Sequence, residues 1–414
     1  PPGVLLERPL DLPDPWSEFE VMRYVDGLGG RNRTDLICFA GGGVYDHFLP
    51  TVVRALTLRP EFVTSYTPYQ SEVSQGVLQA LFEYQSMVAA ITGLPVANAS
   101  LYDGATAGLE AVNLAVAATR RNVVWVSRAL HPHTREVINT FARARDLVVV
   151  EHPAVGGRTV WAESAEGQPA VVVFGQPNYL GVIEDYDEAV RVAHAAGALA
   201  AAAVDPMLLG VLRSPGAAGC DLAFAEGQPF GNPMSFGGPV LGMFATSEPL
   251  LRRIPGRLAG KTTDSEGRAA FTLTLRTREQ DIRREKASSN ICTNQSLNAI
   301  GAAVHLAWLG PDGLAEAGNR SIQKAHYLHK RLTQLKGVQA ANTSAFAREF
   351  AILTPLDSHT VVAGMAERGY LAGIPLSDDY PELPGGLLVA VTEQRTREDL
   401  DGYAAALEEV IADA

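Results

Sequence analysis

ALAAAAVDPMLLGVLRSPGAAGCDLAFAEGQPFGNPMSFGGPVLG, residues 198–242, is the stretch that decides the fold. Its opening, Ala198–Val204, is a run of small apolar residues ending at Asp205, and it reads as a buried strand that delivers an acid at its carboxyl end. Ligands of open α/β sheets sit at that edge. A loop follows, then a strand over Leu222–Ala225 opened by Asp221, then a glycine-rich hairpin, GNPMSFGGP, and a strand over Val240–Ala245. An alternative role for Asp205 is to cap a turn ahead of Pro206.

Outward from this stretch the same alternation continues. Strands are expected at Val123–Val126, Leu147–Val150 and Ala170–Phe174, with helices at Ala105–Thr119, Arg135–Ala144 and Ile183–Ala196 between or after them. Short apolar strands separated by helices predict a mostly parallel sheet covered on both faces. Val77, Leu78, Leu81, Val88 and Ile91 recur at helical spacing between Val73 and Thr92, and Gly93 and Pro95 close that run. After Leu275 the texture changes: TREQDIRREK (277–286) reads as a charged helix and SSNICTNQS (288–296) as a polar turn. Helices over Leu297–Leu309 and Glu316–Leu335 lead into a compact α+β region with strands near Glu349–Leu353 and Gly386–Val391. Residues 1–65 are dotted with proline and aromatic residues and read as an extended arm. The expected organisation is therefore an arm (1–65), a large α/β domain (66–300) and a small α+β domain (301–414).

Composition narrows the function classes. The chain has 414 residues, 47% of them hydrophobic and 19% charged, which suits a globular enzyme. A net charge of -12 and a pI near 5.3 argue against a nucleic-acid partner. The alanine-rich stretch Val190–Val204 is interrupted by Arg191 and His194, so no membrane span is expected. The first residues lack the basic-then-apolar pattern of an export signal. Cys38, Cys220 and Cys292 are odd in number and far apart, which suits a reducing cytoplasm. All five lysines (Lys261, Lys286, Lys324, Lys330 and Lys336) lie past residue 260, so no earlier amine is available to form a Schiff base with a carbonyl cofactor.

Three constellations are candidates for chemistry. In pyridoxal-phosphate enzymes an aspartate placed like Asp205 pairs with the pyridine nitrogen, and a lysine on or after a following strand holds the cofactor. In NASLYDGATAGLEAVNLA (98–115), the turn Asp103–Thr106 opens a helix whose free N–H groups suit a phosphate or carboxylate, although Asp103 as N-cap needs no ligand and would repel an anion. In VTSYTPYQSEVSQG (63–76), Tyr66 and Tyr69 flank Pro68 on a stiff loop that either presents hydroxyls into a site or packs. His131 and His133 bracket Pro132 in a loop, without the further ligands a metal site requires. Gly41-Gly42-Gly43 lacks the following Lys-Ser/Thr of a phosphate loop, and no G-x-G-x-x-G opens the first strand–helix unit.

Three long stretches, 65–111, 205–242 and 267–295, together with their spacing, resemble the N-terminal half of the glycine cleavage system P-protein family, which in many bacteria is a separate subunit. Asn294, where the family pattern suggests alanine, is a mild departure. The resemblance implies the aminotransferase-like fold type I of pyridoxal-phosphate enzymes, with a seven-stranded-type large sheet. It also implies an oxidoreductase that decarboxylates glycine and passes the aminomethyl group to the lipoyl arm of H-protein. In the two-subunit form the lysine belongs to the C-terminal-type subunit. Counting back from Gly237-Gly238-Pro239 puts Gln228 at the lysine position, and counting forward from Asp221 puts Pro229 there; neither forms a Schiff base.

By resemblance, then, this chain is the lysine-free partner, inactive alone, in an α2β2 assembly. Asp103, Thr106 and Asp205 are expected to be relics of a cofactor pocket. Tyr66, Thr67, Tyr69, Asn98 and Tyr102 are expected to reach the partner's site, and Asn290, Cys292 and Thr293 to line the interface. A scaffold subunit contributing no active-site residue is the alternative. A self-sufficient enzyme would need a lysine at the hairpin strand, and the nearest, Lys261, lies beyond it.

Overall fold

The structure is a computed structural model that describes residues 3–161, 167–275, 280 and 282–414. It forms two compact units, Pro1–Ile37 and Cys38–Ala414. The first unit contains helix α1 (Glu18–Gly29), in a region that the sequence suggests is extended. Its start is set locally: the Ser17 hydroxyl caps Glu20 N–H, and the Glu20 carboxylate accepts from Ser17 N–H at 2.8 Å. Such a capping box needs no tertiary apolar face, which is why periodicity misses this helix.

The second unit is built on a seven-stranded sheet of β1 (Val96–Ala97), β2 (Val123–Ser127), β3 (Val148–His152), β4 (Pro169–Gln176), β5 (Leu199–Val204), β6 (Leu222–Glu226) and β7 (Gly242–Thr246). The strand order is β1-β7-β6-β5-β4-β2-β3. Strands β2 to β6 pair in parallel, whereas β7 runs antiparallel to both β6 and β1. Alternation along β4 explains the layering. Val172 and Phe174 pack with Leu78 and Leu81 of helix α2 (Gln75–Thr92) on one face. Val171 and Val173 pack with Ala107 and Ala111 of helix α3 (Gly104–Thr119) on the other. Every residue of β4 is buried, as a strand covered on both faces requires. Each of these leucines is fully buried and contributes about 2 kcal/mol. The alanines of β5 let the covering layers approach closely.

Helices α4 (Pro132–Ala144) and α5 (Tyr186–Ala195) complete the alternation. Helix α4 starts at Pro132, so His133 lies in its first turn and His131 is its N-cap, not part of a free loop. A hairpin of β8 (Ala259–Thr263) and β9 (Ala269–Leu273) follows, which the mixed polar sequence conceals. The charged stretch 277–286 lies partly outside the described residues, and its described end, Arg284–Lys286, is one 3-10 turn. Helix α6 (Ser296–Leu332) is broken at Gly310, whose φ of 60° is non-helical, so it contains two helical segments, as the sequence suggests. A four-stranded antiparallel sheet, β10 (Gln339–Ala340), β11 (Glu349–Leu353), β12 (Ile374–Pro375) and β13 (Gly386–Ala390), has the order β10-β11-β13-β12.

Candidate functional site

The carboxyl ends of β4, β5 and β6 open onto a cavity of about 580 Å³, walled also by Gly41–Gly43, Asp103, His131 and Glu349. A parallel sheet places ligands at this position. Each anchor that a pyridoxal-phosphate ligand would need here is already engaged by the chain.

The phosphate end comes first. Asp103 caps α3, its carboxylate accepting from Thr106 N–H at 2.7 Å and from the Thr106 hydroxyl at 2.8 Å. Glu226, at the end of β6, accepts from Gly104 N–H at 2.9 Å. A side chain at Gly104 would press on Glu226 N at 2.9 Å, so glycine is what lets the strand end abut the helix start. Two carboxylates thus stand where a helix N-terminus would bind an anion. Burial pushes Glu226 up to about 7, against hydrogen bonds from Leu241, Gly104 and Gln228 N–H groups.

At the pyridine end, Asp205 uses both oxygens internally. One accepts from Met207 N–H at 3.1 Å, the turn-capping role, and the other accepts from Arg348 Nε at 2.5 Å. Arg348 is 1% exposed, lies 3.6 Å over the Tyr45 ring and donates to His47 Nε2. His47 Nδ1 then donates to Glu393 at 2.5 Å, which makes the imidazole the neutral Nδ1–H tautomer. Burial opposes ionisation of Glu393, yet the His47 hydrogen bond holds its carboxyl down to about 2.

The lysine position is the third anchor. Gln228 is buried and bridges Tyr45 N–H at 2.9 Å, Tyr45 C=O at 3.2 Å and Asn232 C=O at 2.8 Å. Pro229 is buried beside it. Among the described residues no lysine lines the cavity.

The wall from Gly41 to Tyr45 wraps Glu349. Its carboxylate accepts from Gly42 N–H at 2.8 Å and from the Tyr45 hydroxyl at 2.9 Å, and a Cβ at Gly41 would collide with it. Burial pushes Glu349 up to about 7. His131 Nε2 donates to Gly42 C=O at 2.6 Å, and burial lowers the imidazole to about 4, so it is neutral at pH 7. Among the described residues no cluster of three or more His, Cys, Asp or Glu side chains is arranged to hold a metal. The residues present do not fit pyridoxal phosphate: its phosphate would meet carboxylates, its ring nitrogen an occupied aspartate, and its aldehyde no amine.

The tyrosine loop lies elsewhere and is organised differently. Tyr66 is 78% exposed and Tyr69 54%, with Pro68 buried between them. Arg257, which no motif singles out, gathers the other candidates. It donates to the Thr67 hydroxyl at 3.2 Å and to Cys292 C=O at 3.4 Å, and its guanidinium lies 5.7 Å from the Tyr69 ring centre. The Tyr102 hydroxyl accepts from Cys292 N–H at 2.9 Å. Asn98 does not present its amide at the surface: it is 1% exposed, donates to Pro255 C=O and accepts from Ser100 N–H. Asn290 is exposed and donates to Arg284 C=O, apart from this cluster, while Thr293 is half-buried beside Cys292.

A seven-stranded, mostly parallel sheet with an acid at the end of β5 defines the fold type I class of pyridoxal-phosphate enzymes. A cysteine desulfurase from Escherichia coli shares this fold at 17% identity and a TM-score of 0.65, with 92% of this chain and 96% of that one covered. Within the class the assignment is specific: residues 1–407 match the glycine cleavage system P-protein family, and the chain belongs to that family. It is 47% identical over 415 residues to a probable glycine dehydrogenase (decarboxylating) subunit 1 of Moorella thermoacetica, covering 100% of this chain and 93% of the relative. It is 46% identical to the like-named subunit of Chlorobium limicola, covering 98% and 93%. The crystal structure of an inhibitor-bound glycine decarboxylase (P-protein) of the glycine cleavage system superposes with a TM-score of 0.93 at 46% identity, covering 99% of this chain and 93% of that one. No helix among the described residues is long and apolar enough to cross a membrane.

Proposed function

We propose that this chain is the lysine-free subunit of a two-subunit glycine decarboxylase and that pyridoxal phosphate is held covalently by the second subunit. The relatives' designation as subunit 1 supports a second chain. The observation that carries the reading is the self-filled cavity. Glu226, Arg348 and Gln228 occupy the three positions where a cofactor would be anchored. A site so engaged has no use for the cofactor, and the chain alone is inactive.

Its own contribution is at the tyrosine loop. Tyr66, Tyr69 and Tyr102, with Thr67, present neutral hydroxyls that orient glycine's carboxylate without adding charge. Their rings also shield that carboxylate from water, which favours its departure as carbon dioxide. The complex is an α2β2 assembly of the reducing cytoplasm, an oxidoreductase that passes the aminomethyl group to lipoylated H-protein. Asn98 serves the framework behind the loop.

The test is to add pyridoxal phosphate to this chain alone and to the pair, then record absorbance before and after borohydride. A reduced adduct on the partner only is the expected result. An adduct on this chain overturns the proposal. A scaffold role is separated by Tyr66→Phe and Tyr69→Phe: a scaffold keeps turnover, whereas a site contributor keeps assembly and loses turnover.

A further inference from the structure

Three segments distant in sequence converge behind the tyrosine loop, and one side chain lies at their centre. The Arg257 guanidinium sends one arm to the Thr67 hydroxyl at 3.2 Å and another to Cys292 C=O at 3.4 Å, and its face lies near the Tyr69 ring. Its backbone is itself held. Arg257 C=O accepts from Ala99 N–H at 2.8 Å, and the Asn98 amide donates to Pro255 C=O at 2.9 Å, two residues earlier. Behind it, Asn294 donates to Ala99 C=O at 2.9 Å, and the Ser100 hydroxyl accepts from Gln295 N–H at 3.1 Å. Ser100 has φ +114°, a conformation that a non-glycine residue keeps only where its surroundings over-determine it. The anchor is rigid and 9% exposed, while the tips it serves are 78% and 54% exposed.

Within the loop, Tyr69 N–H donates to Thr67 C=O at 2.9 Å, a three-residue turn that orders the chain weakly. Exposed aromatic side chains on such a turn take a defined position when something buried grips the turn from below. A guanidinium suits this task because its planar fork reaches two segments at once and still offers a face to a ring. A lysine ammonium would bond one segment and leave the other.

We propose that Arg257 is the positioning residue of the tyrosine loop, clamping residues 66–69 to the turn at Cys292 so that the tyrosine hydroxyls meet the substrate carboxylate in the partner's site at a fixed distance. This rests on the proposed role of the tyrosines, and the experiment separates the two.

Arg257→Gln and Arg257→Lys are made in the two-subunit complex, with Tyr69→Phe alongside, and glycine decarboxylation and hydrogen–deuterium exchange are followed. Both arginine variants are expected to assemble, to lose at least about tenfold in kcat/KM for glycine, and to exchange faster in 64–70 and 290–295 even as single chains. Lysine is expected not to rescue. Thr67→Ala, which removes one arm's partner, gives a smaller loss of the same kind and serves if the arginine variants fold poorly. Wild-type exchange in the loop, or full rescue by lysine, overturns the clamp. Turnover lost in Tyr69→Phe but intact in Arg257→Gln also overturns the clamp while sparing the tyrosine reading. If Tyr66→Phe and Tyr69→Phe both leave turnover intact, the tyrosine reading falls, and with it the clamp's catalytic purpose.

Discussion

The cavity at the strand ends and the tyrosine loop are opposites. In the cavity, the three groups at the cofactor-anchoring positions meet the chain itself: Asp205 meets Arg348, Glu226 meets the start of α3, and Gln228 meets Tyr45. At the loop the anchoring groups are satisfied underneath, and the hydroxyl-bearing rings project outward. On the proposed reading, a fold built around a ligand keeps its shape by replacing that ligand with its own side chains, and its chemical contribution comes from the exposed tyrosine loop instead.

The strongest way to break this contrast is to undo the internal replacement. Arg348→Ala leaves Asp205 without its ion-pair partner and is expected to cost about 3–5 kcal/mol in chemical denaturation. A loss under about 1 kcal/mol would mean that the cavity does not depend on that pair. A second test uses pH. Glu349 titrates near 7 in the fold because burial disfavours its charge, against about 4.5 when unfolded, so the folded state binds the extra proton. Stability therefore falls as pH rises from about 4.5 to about 7 and is level above that, by on the order of 3 kcal/mol from this residue. Glu226, which burial likewise raises to about 7, acts in the same direction over the same window. Glu349→Gln should flatten that slope in denaturation curves taken across the window; an unchanged slope would show that the carboxyl is ionised throughout.

The loop should respond the other way. Tyr66→Phe and Tyr69→Phe alter exposed hydroxyls, so stability should move by no more than about 0.5 kcal/mol. Turnover of the complex should fall about tenfold, since an oriented hydrogen bond of about 1.4 kcal/mol would be lost from the transition state. A stability loss without a turnover loss would reverse the contrast. The smallest expected effect is none: Gln228→Lys alone should trap no cofactor under borohydride, because Glu226 and Arg348 still fill the other anchors. A trapped adduct on that variant would show that the missing amine is the sole obstacle.

Much of the sheet was legible because its strands are short apolar runs. Ala170–Phe174 and Leu222–Ala225 fall inside β4 and β6. The β8–β9 hairpin was not legible, since AGKTT and AAFTL set their core-facing Ala259, Phe271 and Leu273 among small and polar residues in runs too short to show a clear alternation. Asp205 could be singled out as an acid at a strand end, but its partner could not, because Arg348 lies 143 residues away. Arg257 likewise belongs to no pattern: its importance comes from what the fold gathers around it. The capping box at Ser17 and Glu20 was a readable signal for α1.

The relay Asp205–Arg348–His47–Glu393 joins elements far apart in the sequence. Asp205 follows β5 of the large sheet, whereas Arg348 directly precedes β11 of the small one. A buried ion pair across that boundary ties the two sheets together, because separating them would strand a buried charge. To the extent that this tie holds the two sheets in one arrangement, a second subunit of the proposed assembly meets a surface that needs little reordering, and association then costs little ordering entropy on this side.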